Sequence, residues 1–125
     1  MNSLNMARSA YGRQQAPVRS NRKAEYDLFT QMTRRLATAN SKRSVDFPAF
    51  VAAVHDNIVM WRTLASDVAE PDNALPQTLR AQLFYLYQFT VEHSRKVLAG
   101  KEKIEVLIDI NTAVMRGLRG DGDVP

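Results

Sequence analysis

Two histidines, His55 and His93, have the widest chemical range of any side chains in the chain, and neither has neighbours that would put it to use. Zinc and its relatives are held by histidine, cysteine and carboxylate sets at spacings such as HxxxH. Here His55 has only Asp56 beside it, and His93 sits between Glu92 and Ser94 with no second histidine one turn away. A histidine in that setting is read as a hydrogen-bonded core or boundary residue. The chain has no cysteine, which removes disulfides, thiolate ligands and thiol nucleophiles together. Serine catalysis needs a base at a strained turn, and phosphate chemistry needs a glycine-rich loop between strand and helix. None of Gly12, Gly100, Gly117, Gly120 and Gly122 lies in such a setting. The sequence therefore predicts no catalytic residue, no metal and no cofactor.

Charge offers a second chemistry. Of 17 basic residues, five (Arg8, Arg13, Arg19, Arg22 and Lys23) fall in the first 24 positions, where there is no acid, while the remaining twelve face thirteen acidic residues. The formal charge of +4 thus belongs to an N-terminal arm, and the body is nearly neutral. With Tyr11 to stack a base, Arg8, Arg13, Arg19, Arg22 and Lys23 could track nucleic-acid phosphates. The arginines are sparse, however, and the helical part offers no basic stripe, so a solvated arm is the plainer reading and RNA binding the alternative. No apolar run approaches the ~20 residues a bilayer span needs, and the start lacks a signal-peptide core, so a soluble cytoplasmic protein is expected.

Hydrophobic periodicity predicts an all-α fold, a four-helix bundle over residues 21–119, between a flexible basic arm (1–20) and a short tail (120–125). The first helix is expected from about Arg22, capped by Ser20 or Asn21. It carries Tyr26, Phe29, Thr33 and Leu36 inward, and Leu28 and Met32 widen the stripe. The second begins near Pro48, with a seam of Phe47, Val51, Val54, Ile58, Trp61, Ala65 and Val68 spaced 4-3-4-3-4-3. After the turn "EPDNALP", a third runs from Pro76 to Gly100, whose glycine suits a left-handed stop. Only "KEK" follows before a fourth, with Ile104, Ile108, Asn111, Met115 and Leu118 inward and Leu107 and Val114 beside them. So short a link places the third and fourth helices antiparallel and side by side.

The third helix is unusual in being apolar nearly all round. Leu79, Leu83, Leu86, Thr90, His93 and Val97 make one line, and Phe84, Tyr85, Tyr87 and Phe89 broaden it beyond the ~100° stripe of an ordinary bundle helix. Either this helix is central and touched by the other three, or part of it is left uncovered to receive a partner's amphipathic helix. The two combine if it is enclosed at one end and open at the other.

Taken in order, "NIVMWRTL", "DVAEPDNALPQTLRA", "EHSRKVLAG" and "LIDINTAVMRGL" resemble the FlaF family of flagellar biosynthesis regulators, from about Tyr11 to Leu118. Ile58 departs from the family's pattern, which often has a basic residue there. The resemblance implies a helper of flagellar assembly that promotes flagellin synthesis and export, as a flagellin-binding secretion chaperone. It also implies an FlbT-type regulator of flagellin as a second partner. Self-association is left open.

Individual residues carry two readings each. Trp61 is a core seam residue or an interface anchor. Asn111 fixes helix register or hydrogen-bonds a partner's backbone. Arg80 pairs with Asp67, Glu70 or Asp72 across the turn, or recognises an acidic or carbonyl-rich segment. The surface expected to meet a partner is drawn from Trp61, Leu64, Leu75, Leu79, Arg80, Leu83, Tyr85, Tyr87, Phe89, Asn111 and Met115.

Overall fold

The computed structural model describes residues 15–119, with side chains over residues 23–117. It consists of four helices, α1 (Gln15–Ser41), α2 (Phe47–Val68), α3 (Gln77–Leu98) and α4 (Glu105–Arg119), and has no strand among the described residues. The all-α four-helix expectation holds. The arm expected over residues 1–20 lies mostly outside the described residues, as does the tail. Residues 15–20, however, form the first turns of α1, so Ser20 and Asn21 lie inside that helix and do not cap it. Pro17 is compatible with this start, because a proline in a first turn gives up an N–H that has no helical partner anyway.

The helix ends are set by local chemistry. Asp46 caps α2, its Oδ1 accepting the Ala49 N–H at 3.2 Å, and Pro48 occupies the first turn. Asn73 ties the α2–α3 turn: its Nδ2 donates to the Asp67 carbonyl at 3.0 Å and its Oδ1 accepts the Leu75 N–H at 3.0 Å. At the far end of α3, Gly100 adopts φ +76°, the Gly100 N–H reaches the Val97 carbonyl at 3.0 Å, and Lys101 N–H reaches Lys96 at 2.8 Å. These paired bonds are the glycine-terminated helix stop that "KVLAGK" predicts.

In α1, Phe29 and Leu36 are buried with Tyr26, Met32 and Thr33 at the margin, while Leu28 turns outward. The seam expected for α2 is rotated. Phe50, Ala53, Val54, Asn57, Met60, Trp61, Leu64, Ala65, Asp67 and Val68 point inward, whereas Phe47 is exposed and Val51 and Ile58 are half-buried. Asn57 accounts for the difference: a polar residue is counted as outward, and Ile58 next to it then takes its place in the pattern. In α4 the buried set is Leu107 and Asn111, preceded by Ile104, and Ile108 is only half-buried.

The core has two layers. One, at the end holding the α1–α2 and α3–α4 links, contains Leu36, Phe50, Ala53, Val54, Val97, Ile104 and Leu107, and so draws on all four helices. The other contains Phe29, Met60, Trp61, Leu64 and Val68, all from α1 and α2. The apolar residues that α3 and α4 bring to its edge are half-buried, among them Leu83, Leu86 and Tyr87 from α3 and Ile110, Val114 and Met115 from α4, while Asn111 of α4 is fully buried beside Trp61.

That asymmetry follows from how the helices associate. Helix α1 packs along α2 and α4, α2 packs along α3, and α3 meets α4 only sparingly. Two expectations are corrected here: α3 is not central, and α3 and α4 are not packed side by side along their length. A short link fixes where the helix ends meet but leaves the angle to packing, and α4 is drawn to α1.

Candidate partner-binding site

The polar line through the second layer shows why several predicted contact residues are not available. Trp61 is fully buried, meets Phe29 edge-on with ring centroids 5.5 Å apart, and donates from Nε1 to Asn111 Oδ1 at 2.9 Å. Asn111 Nδ2 in turn donates to Asn57 Oδ1 at 2.9 Å. The direction is forced, because an indole N–H can only donate and therefore turns the oxygen of Asn111 towards it. Trp61, Leu64 and Asn111 are thus corrected from partner contacts to core residues, joining α2 to α4 from within. Asn57, which the sequence reading passed over as a packing residue, is the third member.

Arg80 also has a structural task. It is half-buried, and its Nη1 lies 3.5 Å from the Val68 carbonyl and 3.4 Å from that of Glu70. These are long hydrogen bonds to the negative end of α2, where a cation offsets the helix dipole. The guanidinium therefore meets main-chain carbonyls and anchors the first turn of α3 to the last turn of α2.

What remains accessible is the first half of α3. All four buried residues of this helix, Thr90, His93, Ser94 and Val97, lie in its second half. His93 fixes that end: its Nε2 is 3.0 Å from the Lys103 carbonyl, so that nitrogen carries the proton and donates, and Phe89 stacks on its ring at 5.4 Å. Along the single line Val97, His93, Thr90, Leu86, Leu83 and Leu79, burial declines from complete at Val97 to 39% exposure at Leu79. Residues on one line of a helix face one way. Leu79 is therefore directed at the bundle interior, with nothing covering it fully.

To one side of the Leu79 line lies Phe84 (38% exposed), and to the other lie Tyr85 (63%) and Phe89 (36%). Phe84 leans on Tyr87, ring centroids 5.8 Å apart, and a shallow open depression on the same helix is lined by Thr78, Ala81, Gln82, Tyr85 and Leu86. Of the predicted contacts, Leu79, Tyr85 and Phe89 are exposed, while Leu75, Leu83, Tyr87 and Met115 form a half-buried rim against the second core layer. Phe84, Ile110 and Val114 were missed as surface candidates. Spacing at i and i+4 on one flank of α4 is the signal that Ile110 and Val114 carry.

The alternative nucleic-acid set is not brought together. Arg8, Tyr11 and Arg13 lie outside the described residues, Arg19 and Arg22 are in α1 without described side chains, and Lys23 is exposed and paired with Asp27 at 3.4 Å. Among the described residues no cluster of three or more His, Cys, Asp or Glu could hold a metal ion, and no helix is long and apolar enough to cross a membrane.

No curated protein and no solved structure matches this chain. The family model described as "Flagellar protein FlaF" matches residues 7–118, which takes in all of α1, α2 and α3 and nearly all of α4. An all-α chain with this helix order and a match over that span belongs to the FlaF family of flagellar proteins.

Proposed function

We propose that this protein works in flagellum biogenesis as a flagellin-binding secretion chaperone, and that the open flank of the bundle is its binding surface. One observation carries the reading: the second core layer is closed by α1 and α2, with Asn111 of α4 buried in it, but only fringed by α3, leaving Leu79, Phe84, Tyr85 and Phe89 accessible. An amphipathic helix laid between α3 and α4 would complete that layer, with apolar residues at i, i+3, i+4 and i+7 replacing the missing contacts. The terminal segments of flagellin, which the family resemblance implies to be amphipathic helices, have that character. Aromatic residues at the rim suit such a role, since a tyrosine can bury its ring and keep its hydroxyl in water.

Tyr85→Glu and Phe89→Glu test this directly. Tyr85 is 63% exposed, so its variant is expected to keep the helical circular dichroism and melting temperature of the parent, whereas Phe89→Glu gives up the stack on His93 and should melt lower while staying helical. Co-purification with flagellin should be lost in both. Two folded variants that retain flagellin at parental levels would place the binding surface elsewhere.

A further inference from the structure

We infer that the protein holds a buried water molecule between α2 and α3, bound by Asn57 Nδ2, Thr90 Oγ1 and Ser94 Oγ at the boundary between the two core layers. The site does not depend on what the open flank binds.

That boundary is polar in every helix. Thr33 of α1 lies between Phe29 of one layer and Leu36 of the other, and Asn57 of α2 lies between Met60 and Val54. Asn111 of α4 separates Val114 from Leu107, and Thr90 and Ser94 of α3 separate Tyr87 from Val97. Part of this polar level is satisfied from within the chain. Trp61 donates to Asn111, Asn111 donates to Asn57, and Thr33 Oγ1 donates to the Phe29 carbonyl at 2.6 Å.

Three atoms stand apart. Asn57 Nδ2, Thr90 Oγ1 and Ser94 Oγ make no hydrogen bond among the described residues, although Asn57 and Ser94 are 0% exposed and Thr90 only 1%. The two hydroxyls differ in this from Thr30, Thr33, Thr63 and Thr112, each of which donates to the carbonyl four residues back in its own helix.

The packing of α3 on α2 brings the three atoms to one place. Thr90 and Ser94 share a line with Leu83, Tyr87 and Val97, spaced 4-3-4-3, and this line packs on both core layers. The helices run antiparallel, with Arg80 at the Val68 carbonyl and Val97 in one cluster with Ala53 and Val54. One turn on from Ala53 and Val54, Asn57 therefore comes level with the stretch between Thr90 and Ser94. The amide N–H of Asn57 can only donate, while each hydroxyl both donates and accepts. None of the three bonds to another, so a bridging group is required. A water supplies it, its oxygen accepting from Asn57 and its two O–H groups donating to Thr90 and Ser94.

Oxygen-17 relaxation dispersion of the full-length protein tests this, because it detects water molecules held longer than the protein tumbles and is blind to exchanging hydroxyl protons. Thr90→Val/Ser94→Ala is expected to lose one such water relative to the parent while keeping its helical circular dichroism. Its unfolding constant in urea should rise about tenfold, since the Asn57 amide loses its acceptor. A folded double variant with the parent's dispersion overturns the inference. So does one as stable as the parent or more so, the outcome expected if two dry, unpaired hydroxyls are replaced by apolar groups of like shape. The unaltered protein gives an independent reading that needs no variant. A high-resolution crystal structure should show one water within hydrogen-bond distance of all three atoms, and hydroxyls turned back onto the Leu86 and Thr90 carbonyls with no water between the helices would overturn the inference.

Discussion

Asn111 illustrates how one polar residue organises the interior. Its amide accepts from Trp61 on one side and donates to Asn57 on the other, and all three residues are fully buried. Asn111→Leu keeps the branched shape of the side chain but strands the indole N–H and the Asn57 oxygen together. Each buried group left unpaired costs ~1–3 kcal/mol, so a loss of roughly 2–4 kcal/mol is expected in urea unfolding. A change within 0.5 kcal/mol, on the scale of an ordinary surface substitution, would show that the relay contributes little. The register role of Asn111 was one of the two readings its place in the seam allowed. Its partners were not legible, because contacts from residue 57 to 111 and 61 to 111 are set by how α2 and α4 face each other. Asn57 was left out of the expected seam for the same reason.

At the scale of elements, the sequence is most legible where local chemistry decides. Asp46 with Pro48, Asn73, and Gly100 each terminate or start a helix by bonds to their own neighbours. Gly100 is the sharpest case. At φ +76° it needs left-handed backbone, and an added Cβ would meet no atom within 4 Å, so any cost of Gly100→Ala is conformational. The expected loss is about 1–2 kcal/mol, read as a lower melting temperature with unchanged helix content. An equally stable variant would mean that this stop is not what holds the α3–α4 link. Boundaries governed by packing were less legible. The start of α1 at Gln15 gave no capping signal, and the one-residue rotation of the α2 seam came from a buried amide that periodicity counts as polar.

For the whole molecule, the decisive feature is the unequal closure of the two core layers. The excess of apolar residues on α3 was evident from composition along the helix, and so was the option of a helix enclosed at one end and open at the other. Which end, and the sparse contact between α3 and α4, depended on α4 choosing α1 as its packing partner, a tertiary preference with no local signature. The bundle so formed is joined at one end and parted at the other, and the proposed chaperone activity uses the parted end. Hydrogen–deuterium exchange of the protein with and without a saturating flagellin terminal segment tests that claim most directly. Slowed exchange at residues 78–89 and 106–117, with α2 unchanged, is the predicted result. Protection confined to α1, or none at all despite binding, would contradict it.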